Sequence, residues 1–219
     1  MEQPSISLPA EAEGPIVDLG LTHYQEALKK QRQYHSCVTL WNSDELLIIT
    51  EHFPVYTCGR AKRTTDHGPR TTDQLHGIPL FHIERGGHIT YHGPGQIVGY
   101  PILNLAKRRL SIPQYLRKLE NSLIEALQEV GIQAEYRKKY LAGLWVGDKK
   151  LVSIGIAVRR WTTFHGFALN VDCDLGPFRM IKPCGLAGDR ITSLKELGWK
   201  GSKEEIRNLL IKKLIHAFF

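Results

Sequence analysis

Between Ser111 and Gly131 the apolar positions fall at Leu116, Leu119, Leu123, Leu127 and Val130, the three-and-four spacing that lines one face of an α-helix. Ser111 and Gln114 have capping-box spacing. Pro113 falls in the first turn, where a missing N–H costs little, and Gly131 supplies the stop. A second helix opens at Ser202, with Glu205 three residues on, and runs through Ile206, Leu209, Leu210, Leu214 and Ile215 to the C-terminus. A third is predicted near Thr22, where Gln25 stands at capping-box spacing. Each stripe reads as a core-facing surface.

Strand patterns fill much of the remainder. Val38 to Trp41 and Leu46 to Thr50 flank Asn42-Ser43-Asp44-Glu45 as a predicted hairpin. Leu80 to Glu84 leads into a glycine-rich stretch and Ile97 to Leu103 follows it. Leu144 to Val146 and Lys150 to Arg159 surround a turn at Gly147-Asp148, and Phe164 to Val171 forms another strand. Strands outnumber helices and run mostly as local hairpins. That pattern predicts an α+β fold with a mixed or antiparallel sheet and helices packed on it. Residues 1–14 are polar and rich in small residues, a loose tail. Residues 15–219 read as a single domain, without repeats or a linker.

Composition narrows the picture moderately. The 219 residues are 42% hydrophobic and 23% charged, an ordinary globular balance with enough chain to bury a core unaided by disulfides or metals. Twenty-nine basic against 22 acidic residues give a net charge of +7. That excess favours an acidic partner by steering but fits a merely soluble basic surface equally well. The four cysteines, Cys37, Cys58, Cys173 and Cys184, form no C-x-x-C pair, which argues against a zinc ribbon or a thioredoxin-like motif. No basic-then-apolar leader opens the chain and no apolar run reaches membrane-span length. The expectation is a cytoplasmic protein with reduced thiols.

Three segments carry candidate chemistry. Arg85 to Gln96, RGGHITYHGPGQ, holds four glycines and two histidines in twelve residues. Glycines let backbone approach a ligand closely, and successive N–H groups in such a loop bind carbonyl or anionic oxygen. Arg85 can hold a polar group and His92 can orient a substrate or move a proton. A tight strand–loop–strand corner with satisfied histidines explains the same residues almost as well. The spacing is neither a dinucleotide nor a Walker loop, and Gly93-Pro94 argues against a helix presenting His88 and His92 to zinc. The second segment, Lys182 to Gly188, sets Cys184 between proline and glycine in a loop, where backbone amides can hold an oxyanion. A buried inert thiol is the commoner fate of a free cysteine, and the apolar contexts of Cys37, Cys58 and Cys173 favour it for them. In the third segment, Gly147 to Gly155, Lys149 reads as a solvated turn residue. Lys150 opens an apolar run, so its amine can face a cleft and accept a proton.

Together these segments resemble the LipB family, the lipoyl(octanoyl) transferases. RGGHITYHGPGQIVGYPILNL resembles that family's signature, GLWVGDKKLVSIGIAVRR its lysine segment and FHGFALNVDCDLGPFRMIKPCG its nucleophile segment. Similarity runs from about Leu46 to Ser193, in order. His88 departs from the pattern, where the family more often has a polar or acidic residue. The resemblance implies the fold of biotin and lipoate ligases: a mixed sheet flanked by helices, and a smaller C-terminal sheet. It implies a catalytic Cys184/Lys150 pair. It also implies an acyl pocket lined by Arg85, Gly86, Gly87, His88, Ile89, Thr90, Tyr91, His92, Ser153, Ile154, Gly155, Gly166, Phe167 and Ala168.

The activity so implied moves an octanoyl group from acyl carrier protein, through a Cys184 thioester, to a lysine of lipoyl domains or of the glycine-cleavage H protein. No cofactor or metal is expected, since the phosphopantetheine arm arrives on the donor. A monomer without nucleic-acid or membrane partners is expected. Three other readings remain at this stage. One is an ATP-dependent lipoate or biotin ligase on the same fold. Another is a non-catalytic binder of lipoyl domains or carrier protein. The third is a cysteine hydrolase pairing Cys184 with His92 or His165.

Overall fold

A computed structural model describes residues 15–41, 43–60, 74–137, 143–181 and 190–219. In chain order the elements are β1 (Ile16–Thr22), α1 (Tyr24–Leu40), β2 (Leu46–His52), β3 (Val55–Cys58), β4 (Gln74–Leu75), β5 (Ile78–His82), β6 (Ile89–His92) and β7 (Gln96–Ile102). They continue with α2 (Ile112–Glu129), β8 (Glu135–Tyr136), β9 (Gly143–Val146), β10 (Lys149–Arg159), β11 (Thr162–Asn170), α3 (Gly176–Arg179) and α4 (Lys203–Phe218).

Seven strands form one sheet in the order β1-β2-β7-β11-β10-β9-β8. The β1–β2 pair is parallel, with α1 as its connection, and the other pairs are antiparallel. Period-two alternation serves both faces. Leu47, Ile49, Ile97, Phe167 and Leu169 pack on one side with α2 and α4, while Leu46, Ile48, Val98, Tyr100 and Ala168 pack on the other with α1. A sheet covered on both faces explains why β2 and β7 read as nearly continuous apolar runs.

Helix α2 has the predicted ends. Ser111 and Gln114 make the reciprocal capping box, and Gly131 sits at φ +78°, a conformation glycine adopts without steric cost. At α4 the Ser202 side chain accepts from Glu205 N–H at 3.1 Å, and Ile206, Leu210, Leu214 and Phe218 are the buried row.

Other expectations change. Helix α1 is capped by His23 without a side-chain bond. Thr22 instead ends β1 and its hydroxyl donates to Leu19 C=O. The segment read as a strand from Val38 is the last turn of α1, so the predicted hairpin before β2 is a helix–strand connection. Cys37 is therefore helical. Tertiary burial of Tyr34, Cys37 and Val38 against the sheet overrides β-branched propensity there.

The smaller sheet is not C-terminal. It comes from residues 74–92 with β3, in the order β4-β5-β3-β6. One of its faces, carrying Tyr56, Ile89 and Tyr91, packs on Phe178, Ile181 and Ile191. Its opposite face turns toward the large sheet.

Candidate active site

The loop after β5 docks on β10. Gly86 N–H donates to the Ile156 carbonyl at 2.9 Å. Across from it, a Cβ at Gly155 would lie 2.9 Å from Arg85 Cδ, so only a residue without a side chain permits this approach. The docking encloses a cavity of about 180 Å³ with mostly apolar walls. The small sheet and its loop contribute Ile83, Arg85–Gly87, Thr90 and His92. The large sheet contributes Val98 and Tyr100, Lys150 with Ser153–Ile156, and His165–Ala168. Tyr24 of α1 and Leu116 of α2 complete the lining.

Most positions named from sequence thus meet around one space. Ile89, Tyr91 and His88 do not. Successive side chains on β6 alternate, so Thr90 and His92 face the cavity while Ile89 and Tyr91 face the cluster beneath the small sheet. His88 is placed by its carbonyl, which accepts from Gly59 N–H at 3.2 Å. Cys184 lies outside the described residues. The described chain before it ends at Ile181, buried with Tyr56 and Tyr91. After it, Ile191 bridges Lys150 in a parallel pairing, and Thr192 N–H donates to the Lys150 carbonyl at 3.0 Å. Lys150 is 2% exposed, its Nζ 6.0 Å from the Trp145 ring centroid. Cys37, Cys58 and Cys173 are buried. Burial pushes the Cys173 thiol up to about 12, far from the thiolate that a nucleophile requires.

A chain of buried side chains runs from Arg85 to the strand return beside Lys150. Arg85 Nη2 donates to Thr57 Oγ1 at 2.9 Å and to the Thr57 carbonyl at 2.7 Å. The Thr57 hydroxyl lies 3.3 Å from His92 Nε2, and His92 Nδ1 lies 3.2 Å from Gln96 Oε1. Gln96 Nε2 donates to Asn170 Oδ1, and Asn170 Nδ2 donates to the Thr192 carbonyl, each at 2.9 Å. The network assigns the tautomer: His92 donates from Nδ1 and accepts at Nε2. Burial first, then His52 and Arg85, hold His92 well below the usual imidazole range. With both ring nitrogens engaged inside the protein and the ring neutral, His92 is poorly disposed to serve as the base of a cysteine hydrolase.

Sequence reasoning overlooked Thr57, Asn170 and Thr192 altogether. Gln96 closed the glycine-rich motif but was given no role. Nothing in the separate strands signals that Asn170 and Gln96 are cross-strand partners; their pairing on β11 and β7 supplies that. Two further histidines are neutral. Burial lowers His52 to about 4, and its ring bonds the Thr22 carbonyl at 3.0 Å and Tyr100 Oη at 2.7 Å. Burial also lowers His165. Arg32 pairs with the Glu84 carboxylate at 3.2 Å.

Residues 23–215 match the family model of the lipoyl protein ligase A/B catalytic domain. An octanoyltransferase of Thermoanaerobacter sp. (strain X514) is 40% identical over 206 residues, 94% of this chain and 90% of that protein. An octanoyltransferase of Geobacter metallireducens is 44% identical over 182 residues, 83% of this chain and 82% of that protein. A crystal structure of lipoate-protein ligase A bound with ATP superposes with a TM-score of 0.73 at 17% identity, covering 94% of this chain and 85% of the other. That likeness concerns the fold, whereas the sequence relatives over most of the chain place it more finely: the chain belongs to the lipoyl protein ligase A/B catalytic-domain family, within its octanoyltransferase, or LipB, members.

Proposed function

We propose that the chain takes its octanoyl group from acyl carrier protein and holds it as a Cys184 thioester before passing it to a lysine of a lipoyl domain or of the glycine-cleavage H protein. Octanoyl transfer in lipoate biosynthesis follows from the family. The observation that supports this route is the apolar cavity with a buried lysine, Lys150, in its wall. An apolar cleft with few polar groups suits an alkyl chain.

In the first step the Cys184 thiolate attacks the thioester carbonyl. The tetrahedral adduct expels the phosphopantetheine sulfur, which takes a proton from the Lys150 ammonium. One thioester replaces another, so no ATP is consumed. In the second step the acceptor lysine amine attacks octanoyl-Cys184, its proton passes to Lys150, and the Cys184 thiolate leaves as the amide forms. The amide is the more stable product and drives the sequence. Arg85–Gly87, Thr90, His92, Ser153–Gly155 and Gly166–Ala168 shape the acyl site. The net charge of +7 suits steering of an acidic carrier protein. The donor brings the pantetheine arm, so the enzyme works without a cofactor of its own, as a cytoplasmic monomer that binds neither nucleic acid nor membrane. No helix among the described residues is long and apolar enough to cross a membrane.

The test is intact-protein mass spectrometry after mixing the chain with octanoyl-acyl carrier protein, without ATP, beside Cys184→Ala. One octanoyl group gained by wild type alone, and discharged by a lipoyl domain, is the expected result. Transfer that appears only with ATP and free octanoate would move the protein to the ligase reading.

A further inference from the structure

Two polar atoms in the wall of the cavity have no described group within hydrogen-bond distance. Tyr24 Oη and His165 Nε2 are buried and have no hydrogen-bond partner among the described residues. Both side chains line the cavity. His165 Nε2 stands 3.9 Å from Glu84 Oε2, too far for a direct bond. Buried polar atoms in folded proteins are ordinarily satisfied, and those that are not call for an occupant or a role.

The protein holds both groups in place at some cost. His165 is a non-glycine strand residue at φ +57°, a strained conformation that persists only where the surroundings impose it. Its backbone N–H is fixed by Gln31 Oε1 at 2.9 Å. Gln31 lies seven residues after Tyr24 on α1, on the same buried side of the helix. The Tyr24 ring stacks on His92, with centroids 6.3 Å apart and planes 7° from parallel. His165 pairs with Ile156, six residues along β10 from Lys150, or at most roughly 20 Å at about 3.3 Å per residue. His165 therefore lies toward the end of the cavity away from Lys150, and the Glu84 carboxylate neighbours both His165 and Tyr24.

We propose that Tyr24 Oη and His165 Nε2 form a polar stop at the far end of the acyl cavity, which limits alkyl length and accepts a hydrogen-bonding group at the acyl terminus. A methyl end that stays short of them leaves room for water beside them. A longer alkyl chain excludes water from them and offers no hydrogen bond in return, which weakens binding about tenfold per group. A terminal hydroxyl restores the bond. The inference rests on this cavity being the octanoyl site, and its test does not depend on catalysis.

Binding of octanamide, decanamide and 8-hydroxyoctanamide is measured by calorimetry on wild type and Tyr24→Phe, which keeps the ring and its stacking. The variant is expected to shift the decanamide-to-octanamide affinity ratio about tenfold toward decanamide and to weaken 8-hydroxyoctanamide by a similar factor. Identical ratios in the two proteins, or no binding of any amide, overturn the proposal. If the ratios shift as expected but wild type accepts nothing from acyl carrier protein, the polar stop stands and the donor assignment falls.

Discussion

Thr192 donates its backbone N–H to the carbonyl of Lys150 at 3.0 Å, and this bond ties the chain that returns after the Cys184 segment to the strand that bears the lysine. The two candidate catalytic residues are 34 positions apart in sequence, so a local pattern cannot relate them. The fold brings residue 191 into register with Lys150 and leaves Lys150 buried on the cavity wall. If Lys150 moves the protons of both transfer steps, its substitution has to separate activity from stability.

Lys150→Met tests that separation. Methionine keeps an apolar stem of similar length and removes only the terminal amine. The variant's melting temperature is measured beside its rate, so that stability lost with the amine's contacts is separated from catalysis. Its single-turnover octanoyl transfer is expected to fall about 100-fold or more, the usual scale of general acid–base catalysis. Wild-type rates would remove Lys150 from the mechanism.

Gly143 supports the same lysine from the neighbouring strand. It has φ +150°, and a Cβ there would collide with the Val152 carbonyl and with Lys150 Cε. Gly143→Ala is expected to lose about 1–3 kcal/mol of stability through overpacking. It is also expected to lower transfer more than that destabilisation explains, because the lysine stem must shift. Urea unfolding beside single-turnover kinetics separates the two effects.

Acid should destabilise the protein in a defined window. His52, His92 and His165 are all held below the ordinary imidazole range by burial. Their neutral forms belong to the folded state, while the unfolded chain protonates them below about pH 6.5. Their contribution is therefore complete above pH 6.5 and declines as pH falls, by about 1.4 kcal/mol per pH unit for each titrating group. For His52 the decline continues to about pH 4. Urea unfolding at pH 7, 6 and 5 should show it, with a shallower slope in His52→Gln. A flat profile over that range would mean that these rings are protonated in the fold.

Much of this was legible because it is periodic or punctuated. The α2 stripe from Leu116 to Val130, its Ser111–Gln114 cap and the Gly147-Asp148 turn are local, and the fold retains them. The motif residues lining the cavity were legible through resemblance, since no spacing links Arg85 to Ser153 or Gly166. What failed was non-local. Val38 has strand propensity but is buried at the end of a helix. The short strands of the small sheet are too brief to show a period. Tyr24 and Thr57 face the cavity region only because α1 and β3 pack where they do. Ile89 and Tyr91 were taken with their neighbours, although a strand must send alternate side chains to opposite faces.

Asn170 is where the polar relay can be broken most cleanly. Its carboxamide accepts from Gln96 and donates to the Thr192 carbonyl, and it is 4% exposed. Asn170→Leu leaves a buried donor on Gln96 and a buried acceptor on Thr192 with that partner gone, at about 1–3 kcal/mol each. Asn170→Asp keeps the acceptor for Gln96 but sets a carboxylate oxygen against the Thr192 carbonyl, where neither can donate. If the relay serves stability alone, both variants should lose denaturant resistance while transfer at saturating donor stays unchanged in the folded fraction. If it also aligns the strand return beside Lys150, the rate at saturation should drop in both. The second outcome is expected, because the Thr192 carbonyl and N–H belong to adjacent peptide groups and movement of one is carried to the other.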